Sequence, residues 1–176
     1  MGTIVDTSTL ISLAKIGVLE ILKKLKGHLS VPDSVYEEAV TVGEEKGLAD
    51  ATVIKNFISN HNIKVFTVKQ DSINRLRQIT NKTLTKGDEA VIALAIQESA
   101  KEVITNDDGL GRIAMSMGYK VIASPDLLFA GLKSGLIDYK NYESFLKNLV
   151  IENRITSAIA EIYIMEGGIC QRLKSL

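Results

Sequence analysis

Cysteine occurs once, at Cys170, so no internal disulfide forms and clusters of thiolate-bound zinc are excluded. Proline occurs twice, at Pro32 and Pro125, and no proline-rich linker divides the 176 residues, a length that suits one ordinary domain. Long apolar runs are missing as well. Charges interrupt each one before it reaches the length of a membrane span, which argues against a membrane partner. The opening Met1-Gly2-Thr3-Ile4-Val5-Asp6 lacks a basic region followed by an apolar segment and cleavage site. It reads as a buried strand rather than a signal peptide, and a cytoplasmic location is the expectation. An excess of one charge is absent too, with 21 Lys and Arg against 21 Asp and Glu. No global field attracts nucleic acid, so an enzyme acting on it has to use a local basic patch and metal ions. What is plentiful is apolar surface: 45% of residues, too much for disorder.

Apolar runs of strand length alternate with helical patterns. Thr3 to Asp6, His28 to Val31, Ile63 to Val68, Glu102 to Thr105 and Tyr119 to Ala123 read as strands. Helices are expected from Ser8 to Ile16, Val18 to Lys26, Ser34 to Val42, Ala49 to Ser59, Ser72 to Ile79, Asp88 to Ser99 and Asp107 to Met117. Further helices cover about 126–134, 139–152 and 156–167. The helix behind Gly87 is apolar around most of its circumference and should be buried on several sides. This alternation predicts an α/β fold, a central parallel sheet flanked by helices in three layers. We expect one domain over 1–176, with a core of about 1–130 and a helical extension of about 131–176.

Ligands of such sheets bind beyond the carboxyl ends of the strands. Asp6 and Asn106-Asp107 sit there. Ser8 is placed to cap the first helix, which leaves Asp6 without a structural duty. Glu38 borders the apolar stripe of Val35, Ala39 and Val42, whereas Glu37 points to solvent. Asp88 shares a face with Val91, Ile92 and Ala95, although a first-turn acid also complements the helix dipole. Asp107 shares a face with Leu110 and Ala114, with Asp108 turned outward and the Thr105 hydroxyl available to orient a neighbouring carboxylate. Helix capping is the plainer explanation for Asn106, Asp107 or Asp108 singly, but three side-chain oxygens at one strand end suggest more. Four ionised carboxylates in one pocket repel, and all-oxygen donors suit Mg²⁺ or Mn²⁺. Such ions activate water and stabilise the leaving oxygen of a phosphodiester. Asp6, Glu38, Asp88 and Asp107 are the candidate catalytic acids. His28 and His61 read as surface or packing residues.

These segments resemble the motifs of PIN-domain ribonucleases. Ile4-Val5-Asp6-Thr7-Ser8-Thr9-Leu10-Ile11 looks like the opening motif, and Val31-Pro32-Asp33-Ser34-Val35-Tyr36-Glu37-Glu38 the second. Gly87-Asp88-Glu89-Ala90-Val91-Ile92-Ala93-Leu94-Ala95 is similar to the third, and Ile104-Thr105-Asn106-Asp107-Asp108 with Arg112-Ile113-Ala114 to the fourth. The resemblance implies a PIN-like fold and a Mg²⁺- or Mn²⁺-dependent endoribonuclease. Asp6, Asp88, Asp107 and Asn106 would hold metal, Ser8, Thr105 and Asp108 would support them, and Arg112 would contact a substrate phosphate. Lys15, Lys82, Lys86 and Lys120 are candidate RNA contacts. Relatives of the VapC toxin kind imply a small antitoxin partner and a homodimer. One departure stands out: Asn106 takes a position where the family often has aspartate, which weakens a second metal site.

Three rivals remain. A haloacid-dehalogenase-like phosphatase with Asp6 as nucleophile wants a second acid two residues on, where Ser8 stands. Gly109-Leu110-Gly111-Arg112-Ile113-Ala114 fits a nucleotide-binding pattern, but aspartates before it repel a pyrophosphate. An inactive PIN-like binding module is the third, kept open by Asn106.

Overall fold

Ile4 and Val5 carry no polar side chain to offer solvent, and in the computed structural model both are fully enclosed at the centre of a sheet. The structure describes residues 2–80 and 84–174, so Lys82 lies outside the described residues. Strand β1 (Thr3–Val5) pairs with β2 (Leu29–Pro32) on one side and β4 (Glu102–Ile104) on the other. Beyond them lie β3 (Lys64–Phe66) and β5 (Lys120–Ile122), giving the order β3-β2-β1-β4-β5 with every pairing parallel. Parallel strands need crossover connections, and helices supply them, covering the sheet as the apolar strands require.

Chain order runs outward from β1 through β2 to β3, then returns to β4 on the opposite flank. The order in which strands are added therefore reverses between β1 and β4. A crevice opens at such a switch point, beyond the carboxyl ends of the two strands. Asp6 follows β1 there, and Asn106-Asp107 follow β4.

The helices are α1 (Thr7–Lys15), α2 (Glu20–Leu25), α3 (Asp33–Tyr36), a π-helical turn (Glu37–Thr41), α4 (Val42–Glu45), α5 (Ala49–Asn60) and α6 (Gln70–Ile79). They continue with α7 (Lys86–Gln97), α8 (Asp108–Ser116), α9 (Ser124–Lys133), α10 (Tyr139–Ile151) and α11 (Ser157–Lys174). Helix α7 has the all-round burial that its composition predicts: Val91, Ile92, Ala93, Leu94 and Ala95 are consecutive and enclosed. It lies on β1, β2 and β4, with α6 outside it. The Gly109–Ala114 segment lies within α8, where Gly111 faces Val121 of β5. Among the described residues no helix is long and apolar enough to cross a membrane.

The C-terminal helices differ from expectation in one respect. Gly167-Gly168 were expected near a helix end, yet α11 runs through them to Lys174. The reason is packing. A Cβ at Gly167 would come within 2.4 Å of the Tyr142 ring, and one at Gly168 within 3.3 Å of the Tyr139 hydroxyl. Bare backbone at these positions lets α11 lie flat on α10, and Tyr142 donates a 2.7 Å hydrogen bond to the Tyr163 carbonyl. One contiguous apolar cluster extends from β1 to Ala160 of α11.

Candidate active site

Asp6 caps α1. Its backbone is extended (φ −91°, ψ 169°), and its carboxylate accepts a 2.9 Å hydrogen bond from the Thr9 amide. This corrects the expectation that Ser8 is the cap. A capping residue must precede the helix, and Ser8 is already in its first turn, where its hydroxyl turns back to donate to both Asp6 oxygens at 2.9 Å. Thr105 adds a 2.5 Å bond to Asp6 Oδ2. The carboxyl is only 6% exposed. Burial raises its pKa above the ordinary aspartate value, against the opposing pull of Thr105, Thr9 and Ser8.

Asp107 plays the same part for α8, its Oδ1 accepting from the Leu110 amide at 2.7 Å. Gly109 makes room for this, since a Cβ there would stand 3.0 Å from Asp107 Oδ1. The Thr105 hydroxyl accepts from the Asp107 amide at 3.0 Å while donating to Asp6, so one side chain couples the two strand ends. Asp88 lies in the first turn of α7, where its amide donates to the capping Thr85 hydroxyl at 3.1 Å.

Glu38 sits on the π-helical turn, and here the expected stripe needs correction. The buried residues are Val35, Ala39, Val40 and Gly43, with Val42 only half-buried. The wider turn inserts an extra residue into the helical register, so Val40 and Gly43 replace Val42 on the inner face. Gly43 then packs against Ala51 of α5, leaving no space for a Cβ. Glu38 itself is exposed toward the crevice and accepts a 2.9 Å hydrogen bond from the Thr7 hydroxyl.

All four acids line one cavity of about 270 Å³, together with Thr7, Ser8, Thr85, Gly87 and Arg154. Ile11, Val35, Val91 and Leu110 complete its walls. Among the described residues none of the four acids forms an ion pair. Nor do any three His, Cys, Asp or Glu side chains there form a ready-made metal cage. The donor set is carboxylate and hydroxyl oxygen without imidazole or thiolate, which fits a hard divalent cation and an open coordination shell.

Other expected residues fall elsewhere. Asn106 is outside the cavity: its Nδ2 donates to Ser12 (3.0 Å) and Ser124 (2.8 Å), and its Oδ1 accepts from the Ser124 amide at 2.8 Å. Those bonds tie β4 to α1 and α9 and hold Asn106 away from the lining of the acidic cavity. Asp108 lines a neighbouring cavity, and Arg112 is exposed on α8 and lines neither. Lys15 pairs with Glu152 at 3.0 Å. Lys120 is at the amino end of its strand, paired with Glu102 and remote from the acids. Lys86 is exposed at the start of α7. Thr7 entered the sequence analysis only as part of the opening motif, and two other residues that line the cavity were missed there: Thr85 and Arg154. Asn153 was the available signal for the last, because asparagine favours the left-handed position that ends a helix.

A family model described as a PIN domain matches residues 2–161. The chain belongs to the PIN-domain family. Among curated protein sequences none matches it. A solved structure that is similar is VapC20 of Mycobacterium tuberculosis, a toxin that cleaves the sarcin-ricin loop. The likeness has a TM-score of 0.51 at 16% identity, covering 66% of this chain and 95% of that one. At that identity the comparison speaks for the fold. The five-stranded parallel sheet with flanking helices is thus the architecture of this PIN domain.

Proposed function

We propose that this PIN domain is a metal-dependent endoribonuclease, with Asp6, Glu38, Asp88 and Asp107 as its catalytic acids. The observation that carries the reading is their convergence: four segments far apart in sequence bring unpaired carboxylates to one cavity at the sheet's switch point. Asp6, Asp88 and Asp107 would hold the cation; Asn106, expected beside them, is left out because its amide is spent on Ser12 and Ser124. When bound, Mg²⁺ or Mn²⁺ supplies charge neutralisation and an activated water for phosphodiester hydrolysis. The protein's own groups do the positioning. Thr105 and Ser8 fix the rotamer of Asp6, the Leu110 amide fixes Asp107, and Thr7 holds Glu38. In this reading the chain acts as a single cytoplasmic domain on RNA, as the toxin of a pair with a small antitoxin and as a homodimer.

The test is cleavage of a mixed set of labelled RNAs in Mn²⁺, Mg²⁺ or EDTA, beside an Asp6→Asn/Asp107→Asn double variant. The expected result is cleavage that requires metal and vanishes in the variant. Equal cleavage by both proteins exposes a contaminant and sinks the site assignment. No cleavage together with no Mn²⁺ binding returns the protein to the inactive binding module.

A further inference from the structure

Arg154 is the sole cationic side chain lining the acidic cavity among the described residues. Its Nε is buried and has no hydrogen-bond partner there. A buried guanidinium nitrogen without an acceptor is costly unless something else satisfies it. Four carboxylates line the same cavity, yet none forms an ion pair with Arg154. The cation is held at the cavity wall without being neutralised.

Its backbone is well anchored. Helix α10 ends with Asn153 in the left-handed region (φ 53°), and the Arg154 amide donates to the Leu149 carbonyl at 2.8 Å. That six-residue bond is the Schellman pattern, which reverses the chain sharply at a helix end. The Lys15–Glu152 pair at 3.0 Å ties the same turn to α1. Arg154 is therefore presented to the site by the C-terminal helices, not by the sheet.

Arg154 also lines a second cavity of about 680 Å³. Pro125, Val150, Ile155 and Tyr163 give it apolar and aromatic wall, with Asp108 at its edge. The two chambers differ in size and character: the smaller is acidic, the larger mixed and roomy enough for a nucleotide. A planar guanidinium between them has the fork geometry that phosphate oxygens accept.

We propose that Arg154 is a substrate-binding residue that holds a phosphate of an RNA strand between the acidic cavity and the neighbouring one, where the adjoining nucleoside lodges. The proposal rests on the nuclease reading for the identity of the strand, and extends it to a binding residue and a subsite.

The experiment is binding of a labelled single-stranded RNA by anisotropy, in EDTA and in Ca²⁺, across a salt series, with Mn²⁺-dependent cleavage measured in parallel. Arg154→Gln should weaken RNA binding by about tenfold or more and lower the salt slope by about 0.7. KM should rise with it more than kcat falls, while Mn²⁺ affinity holds or tightens. Arg154→Lys should recover part of the loss, since it returns the charge without the fork. Unchanged RNA affinity and salt slope in Arg154→Gln overturn the inference and leave the nuclease reading standing if cleavage persists. Arg154-dependent RNA binding in a protein that cleaves nothing keeps the inference and sinks the nuclease reading. Wild type that binds no RNA overturns both.

Discussion

The two ends of the parallel sheet treat carboxylates in opposite ways. At the amino end, Glu102 receives Lys26 at 2.6 Å, Thr3 at 3.1 Å and Lys120 at 3.4 Å. Burial alone would raise its pKa, but Lys26, Thr3 and Lys120 outweigh that and hold it below the ordinary glutamate value. At the carboxyl end, Asp6 is more deeply buried, is met only by hydroxyls and an amide, and has its pKa raised. One end neutralises its acid internally. The other leaves four acids in one cavity with no ion pair among the described residues, and in the proposed function that charge is met by a divalent cation.

The largest effect should come from emptying the carboxyl end. Asp6→Asn/Asp107→Asn should cut Mn²⁺-dependent cleavage by at least about a hundredfold, whereas Glu102→Gln at the other end should leave it unchanged. Matched kinetic assays check this pair, and an equal loss in both would erase the distinction between the two ends. Next is Thr105→Val, which removes the donor to Asp6 and the acceptor for the Asp107 amide. It should weaken Mn²⁺ binding by about tenfold in calorimetry while the acids themselves remain.

Stability should divide the ends by sign. Glu102 ionises more readily folded than unfolded, so its contribution is present above the ordinary glutamate range and is lost as pH falls below it. Asp6 does the reverse: its folded pKa is raised, so folding gains as pH falls through that value and protonates it. In EDTA at neutral pH, Asp6→Asn should therefore stabilise the fold and raise the melting temperature. Glu102→Gln should destabilise by about 1 kcal/mol at neutral pH, less in acid. Thermal melts across pH read both, and a destabilised Asp6→Asn would mean that the hydrogen bonds outweigh burial.

The smallest effect belongs to Lys120→Ala. Its ammonium is 70% exposed and faces the amino end, so RNA cleavage should be unaffected and stability should change by less than about 0.5 kcal/mol. Reduced RNA binding in this variant would put substrate on the wrong end of the sheet.

The carboxyl end was legible in the sequence, and the Lys26–Glu102 pair at the other end was not. Ile4-Val5 and Val103-Ile104 are short apolar runs alternating with helical patterns, which reads as buried parallel strands with Asp6 and Asp107 beyond their carboxyl ends. The cavity accordingly contains all four acids picked by face and position. Local geometry was less readable. Whether Asp6 or Ser8 caps α1 turns on one residue of helix register, and the π-helical turn under Glu38 leaves no mark in a 3.6-residue pattern. Asn106 looked like a ligand because its partners, Ser12 and Ser124, are distant in sequence. Arg154 was hard to read for the same reason: Asn153 marks a helix end, but only the fold brings that end to the acidic cavity.

The most direct test of the central claim is calorimetric titration of Mn²⁺ into wild type, the Asp6→Asn/Asp107→Asn variant and Glu102→Gln. Saturable binding is expected in wild type and Glu102→Gln, and none in the double variant. Binding that survives in the double variant, or is missing from wild type, would contradict that claim.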